Sequence, residues 1–131
     1  MAVKQRIEQL SVLIPAYQEI VNLRWLLPRV IANIPKQVSA EVVVVVERDC
    51  DESTKSEIES YGAIVLVRKP TDSFGDAMRT GMRFCVERAP WLVVLDADGS
   101  HDPASIPILL SVAEEDGADI AIASRYVSGG G

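Results

Sequence analysis

The sequence predicts an α/β domain built on a doubly wound, mainly parallel sheet with helices on both faces. Five short apolar runs, at residues 10–15, 42–46, 63–67, 91–95 and 119–123, are rich in valine and isoleucine. Most lack the alternation of a half-exposed strand, as strands covered on both faces should. Segments of helical period lie between the runs, so the order reads βαβαβαβαβ and calls for right-handed crossovers between parallel strands.

Each element has its own local justification. The first run ends at Pro15, and the helix that follows over 19–34 sets Ile20, Leu23, Leu27, Val30, Ile31 and Ile34 on one side. Pro28 predicts a kink or a restart within it. After the second run, Asp51 or Ser53 is placed to cap a short polar helix over 52–60. The third run leads through Gly75 into an amphipathic helix over 75–89, where Gly81 allows close approach to the sheet. The fourth precedes a helix over 103–115, with Asp102 as its N-cap and Pro103 in its first turn. Trp25 and Trp91 are expected to pack between helix and sheet.

Composition bounds the rest. With 131 residues, 48% hydrophobic and 24% charged, the chain reads as a single domain over 1–131 without repeat or linker. The net charge of −6, with acids spread along the chain, argues against a nucleic-acid footprint. An anionic ligand would need a metal ion or locally placed arginines. Cys50 and Cys85 show no CxxC spacing, which suits reduced thiols in a cytoplasmic protein. No secretory leader is read, and the longest unbroken apolar run, 42–46, is far short of the ~20 residues of a membrane span.

Ligands of such sheets bind beyond the carboxyl ends of the strands, where strand order reverses. VVLDADGSHDP, residues 93–103, puts Asp96 and Asp98 just past the fourth strand. Two hard oxygen donors one residue apart suit Mg²⁺ or Mn²⁺ and leave coordination positions for phosphate oxygens. The plainer reading is a polar turn, with Asp98 and Gly99 in left-handed conformation. PAYQE after the first strand offers an aromatic face and a carboxylate, Tyr17 and Glu19, at the same rim, although Glu19 could simply complement a helix N-terminus. ERDCDEST after the second strand is an acidic loop. Arg79 lies one turn into the third helix, and Arg125 follows the fifth strand, where a guanidinium can meet phosphate. His101, the only histidine, reads as a polar neighbour in its loop.

Taken together, SVLIPAYQEIVNL, the acidic loop, FGDAMRTGM, VVLDADGSHDP and ASRYVSGGG resemble, in order and spacing, the family 2 glycosyltransferases. Within that family the chain is most similar to the polyprenyl-phosphate (dolichyl-phosphate) mannosyl- and glucosyltransferases. The resemblance implies an A-type glycosyltransferase (GT-A) fold, whose Rossmann-like half binds a GDP- or UDP-linked sugar donor. Transfer with inversion to an acceptor such as a polyprenyl phosphate, assisted by Mg²⁺ or Mn²⁺, is implied as well. Residue by residue, it assigns Pro15, Ala16, Tyr17 and Glu19 to the nucleoside pocket, with Glu47 at the first acid of the family's DDGSxDxT loop. It assigns Asp96 and Asp98, with Ala97 between them, to the metal and donor site, Ser100 to the adjacent metal side and Arg125 to the donor phosphates. Gly75, Arg79 and Arg48 join the expected donor contacts. The chain departs from the pattern at Arg48, where the second acid is expected, and at Asp49, which replaces glycine.

Family members continue beyond this length, so a donor-binding half of a longer protein is expected, set at the cytoplasmic face of a membrane. In the family a later antiparallel strand lies between the fourth and fifth strands. Its absence predicts an open edge on 91–95 and poor cover for Ile108 to Val112, met either by the fifth strand moving in beside the fourth or, as the favoured outcome, by association of two chains over the gap. Two competitors remain at this point. One is a nucleotide- and metal-binding fragment without turnover. The other is a haloacid-dehalogenase-like phosphatase, whose DxDGT-type motif LDADGS resembles but which carries that motif on its first strand.

Overall fold

The computed structural model describes residues 6–116 and 120–122. Its elements follow in strict alternation: β1 (Gln9–Pro15), α1 (Ile20–Ala32), β2 (Ser39–Val46), α2 (Glu52–Ser60), β3 (Ile64–Val67), α3 (Phe74–Cys85), β4 (Trp91–Val94), α4 (Ser105–Asp116) and β5 (Ile120–Ile122). The strands form one parallel sheet in the order β3-β2-β1-β4-β5. β1 is its axis, with Val12 opposite Val42 on one side and Val93 on the other.

Successive side chains of a strand point to opposite faces, and the core divides accordingly. On one face Val12, Ile14, Val44, Val93 and Leu95 pack with Leu23, Leu26, Leu27 and Val30 of α1, Ile58 of α2, and Ile106 and Leu110 of α4. On the other, Leu13, Val43, Val45, Leu92 and Val94 meet Ala77 and Cys85 of α3. Gly81 is required there, because a Cβ at this position would collide with both δ-methyls of Leu13.

The expected sheet, its helices on both faces and the order of elements are all present, and the differences are local. Helix α1 runs unbroken through Pro28, which lies on its exposed face, where water can satisfy the carbonyl that the missing N–H leaves free. Its buried stripe takes in Leu26 with Leu23, Leu27 and Val30, and leaves Ile31 42% exposed. Trp91 is buried, but Trp25 lies on the outer side of α1 with Arg29 stacked 4.5 Å from its ring centroid. Asp102 acts one step earlier than a cap. Its carboxylate accepts from the Ala104 N–H at 3.0 Å in the turn that leads into α4.

Two tertiary expectations are corrected. The chain moves from β4 to β5 in the same direction as from β3 to β4, yet α4 packs on the face of α1 while α3 packs on the other. The β4–α4–β5 crossover is therefore left-handed, against the usual rule. Trp91, Val93 and Leu95 of β4 need cover on the α1 face, and the Ile106, Leu110 and Ala113 stripe supplies it. In addition, β4 is paired on both sides, with β1 and β5, so its edge is not free for a second chain. Ile108 and Val112 are exposed, as expected. Among the described residues no helix is long and apolar enough to cross a membrane.

Candidate functional site

β1 and β4 are adjacent, and the chain leaves them toward opposite edges of the sheet, from β1 toward β2 and from β4 toward β5. Loops that diverge in this way open a crevice at the carboxyl ends. A cleft of about 470 Å³ lies there. Pro15, Ala16, Tyr17 and Glu19 form one wall and Asp96, Ala97 and Asp98 the other, while Arg68, Asp72 and Phe74 close the β3 side. A larger hollow of about 710 Å³ sits by Ile7, Val38 and Leu110 at the opposite strand ends. Its single carboxylate, Glu114, is committed to the Ile7 N–H at 2.8 Å.

The first wall is held by long-range contacts. Gln18 has φ 53°, in the left-handed region, and its N–H donates to Glu47 Oε1 at 3.1 Å. Buried Glu47 thereby fixes the turn from which Tyr17 projects, 49% exposed. Glu19 accepts from the Asn22 amide at 2.6 Å, and its carbonyl starts α1 by accepting from Leu23 N–H. Beneath Tyr17 lies Arg68, only 3% exposed. Its guanidinium donates to the carbonyls of Val46 at 3.2 Å, Asp72 at 3.0 Å and Ala16, so one side chain joins the ends of β1, β2 and β3.

The second wall is the β4 loop. Gly99 has φ 81°, which turns the chain so that the Ser100 N–H donates to Asp98 Oδ1 at 2.9 Å. Asp98 is exposed, and the Asp96 side chain is 40% exposed. His101 is buried behind them, and its Nδ1 accepts from the Asp96 N–H at 3.3 Å.

Electrostatics decide what the cleft can hold. Among the described residues it presents the carboxylates of Glu19, Asp72, Asp96 and Asp98 against one guanidinium, that of Arg68, already spent on carbonyls. A bare diphosphate would be repelled. A divalent cation reverses that sign, and Mg²⁺ typically takes one or two carboxylates with substrate phosphates and water completing its shell. Asp96 and Asp98 fit such a partial donor set. Among the described residues no group of three or more His, Cys, Asp or Glu side chains is arranged to hold a metal ion.

The structure brings Pro15, Ala16, Tyr17, Glu19, Asp96, Ala97 and Asp98 into one cleft. Glu47 lines an adjoining pocket of about 170 Å³ with Ala16, Gln18 and Glu19. Like Glu47 and Ser100, three more predicted residues lie outside the cleft lining. Arg48 is exposed, with its N–H on Asp72 at 2.8 Å. Gly75 sits in the first turn of α3. Arg79 pairs with Asp76 and faces a separate hollow with Lys69 and Arg83. Ser100 contributes its main chain to Asp98, as described, and Arg125 lies outside the described residues. Sequence reasoning missed Arg68, Asp72 and Phe74. A charged residue directly after the apolar run 63–67 is the one local signal that could have pointed to Arg68.

Both cysteines are buried, and burial is the main cause that pushes each thiol up from its ordinary value. At Cys50 the neighbouring Glu47 and Asp51 carboxylates add to it. Neither is a poised nucleophile.

The glycosyl transferase family 2 model matches residues 11–131. Among individual proteins, the chain is 37% identical over 125 residues to a dolichol-phosphate mannosyltransferase of Pyrococcus furiosus, covering 93% of this chain and 34% of that protein. It is 36% identical over 124 residues to an undecaprenyl-phosphate mannosyltransferase of Micrococcus luteus, covering 90% and 49%. The chain therefore spans a third to a half of the length of these relatives. The crystal structure of M. tuberculosis glucosyl-3-phosphoglycerate synthase superposes with a TM-score of 0.67 at 19% identity, over 82% of this chain and 40% of that one, which speaks to the shared GT-A fold.

Proposed function

The chain belongs to glycosyl transferase family 2, and from that premise we propose that it is the donor-binding half of an inverting, cation-assisted glycosyltransferase. Its donor is a GDP- or UDP-linked sugar and its acceptor a polyprenyl phosphate, by likeness to the mannosyltransferases above. The observation that carries this reading is the convergence of Tyr17 and Glu19 from β1 with Asp96 and Asp98 from β4 at the reversal of strand order.

In this reading Tyr17, backed by Arg68, offers its ring to the nucleoside, and Glu47 keeps the Gln18 turn in place beside it. Asp96 and Asp98 would hold a divalent ion, which when bound would offset the charge that develops on the departing nucleoside diphosphate. A lipid phosphate is already anionic at neutral pH and attacks the anomeric carbon from the face opposite the leaving group. No strong general base is then needed, and one displacement gives inversion. The full-length protein would act at the cytoplasmic face of a membrane, where such an acceptor lies.

Calorimetry of GDP, UDP and CDP with Mn²⁺ and with chelator tests the reading. At least one nucleotide should bind in a Mn²⁺-dependent manner, and Asp98→Ala should remove that dependence. Equal affinity with and without chelator overturns it. Mannosyl transfer from GDP-mannose to a polyprenyl phosphate separates an active enzyme from a fragment that binds without turnover.

A further inference from the structure

We propose that His101 is a positioning residue that holds Asp96 at both its main chain and its carboxylate. The inference rests on the reading of Asp96 as a cation ligand. Its starting point is the environment of the ring. The His101 side chain is 6% exposed, in a loop that folds back from β4 so that Nδ1 accepts the Asp96 N–H at 3.3 Å. An accepting Nδ1 carries no proton, so the neutral ring carries its proton on Nε2. That Nε2 is buried and has no hydrogen-bond partner among the described residues. Its nearest acidic neighbour is Asp96 Oδ2, at 3.9 Å.

A buried N–H without an acceptor is costly, and 3.9 Å is beyond hydrogen-bond reach. The Asp96 side chain is 40% exposed, whereas the ring is enclosed. The movable partner is therefore the carboxylate. A modest rotation of Asp96 brings Oδ2 onto Nε2–H and satisfies the orphaned donor, leaving Oδ1 directed into the cleft. Outer groups that hold a ligating carboxylate in one orientation are worth about 10–100-fold in metal affinity. His101 thus makes Asp96 a pre-aimed ligand, although it lines none of the cleft itself.

The two ring nitrogens can be tested separately. Asparagine at this position keeps an acceptor near Nδ1 and deletes the Nε2 donor, and glutamine keeps a donor near Nε2. The readout is the affinity for GDP and for UDP at a fixed Mn²⁺ concentration below saturation, relative to that in chelator. His101→Asn should lose about tenfold in this ratio with little change in thermal midpoint, and His101→Gln should recover part of it. A His101→Asn protein with the wild-type ratio overturns the positioning role if Asp96→Asn has lost it. If Asp96→Asn retains the wild-type ratio, the functional reading itself falls. A metal-free measurement closes the test. Because His101 is the only histidine, ¹⁵N-histidine labelling gives a single imidazole spectrum. A proton on Nε2 alone at neutral pH supports the proposal, and a ring protonated on Nδ1 overturns it whatever the metal does.

Discussion

The guanidinium of Arg68 lies 5.5 Å from the ring centroid of Tyr17 and donates to the carbonyl of Ala16, the residue before it. One buried side chain therefore supports both the aromatic face of the cleft and the main chain that presents it. Arg68→Met should destabilise the fold by about 3 kcal/mol, since it strips buried carbonyls of their donor and unties three strand ends. Urea denaturation measures the loss. Nucleotide affinity should fall as well, under conditions where the variant is still folded. A variant of unchanged stability would mean that the carbonyls find other partners.

At the other face, α3 approaches β1 closely enough that Gly81 leaves no space beyond its own hydrogen. Gly81→Ala should cost about 1–3 kcal/mol through overpacking. Leu13→Val in the same chain should return part of that loss, because it removes the atoms that collide. Additive effects in the double variant would place the strain elsewhere.

The Asp76 carboxyl is held below its ordinary range, first by the Thr71 hydroxyl and also by the Thr71 N–H, Arg79 and Ser73. A depressed folded value means that its contribution is complete above the unfolded value and is lost as pH falls through the folded one. The stability gap between wild type and Asp76→Asn should therefore be constant from about pH 7 to 5 and narrow at about pH 3. Denaturation midpoints at these pH values check it, and a gap that widens in acid contradicts the assignment.

Glu47 and Arg48 are neighbours in sequence with different surroundings. Glu47 is buried against the Gln18 turn, while the Arg48 side chain is exposed and lines neither pocket. Glu47→Ala should weaken all nucleotides, because the turn that carries Tyr17 is released. Arg48→Asp, which restores the acid expected at that position, tests base preference. Its ranking of GDP, UDP and CDP should shift only if the side chain reaches the base, and an unchanged ranking leaves Arg48 in solvent.

The alternation of strands and helices, the position of Asp96 and Asp98 past β4, a cap of α2 at Asp51 or Ser53, of which the structure uses Asp51, and a close approach to the sheet permitted at Gly81 were legible in the sequence. Each depends on local pattern: side-chain period, a capping acid three residues from its N–H, or a missing Cβ. Strand order, the left-handed β4–α4–β5 crossover and the pairing of β5 with β4 were decided by tertiary packing, as stretches far apart in the chain compete to cover the same apolar faces. The site divides in the same way. Tyr17 and Asp96 are marked by their own neighbours, but Arg68 reaches Ala16 across 52 positions and Glu47 reaches Gln18 across 29. Such contacts form only after the sheet has brought its strand ends together, because a buried charge must find its partners wherever the fold has placed them.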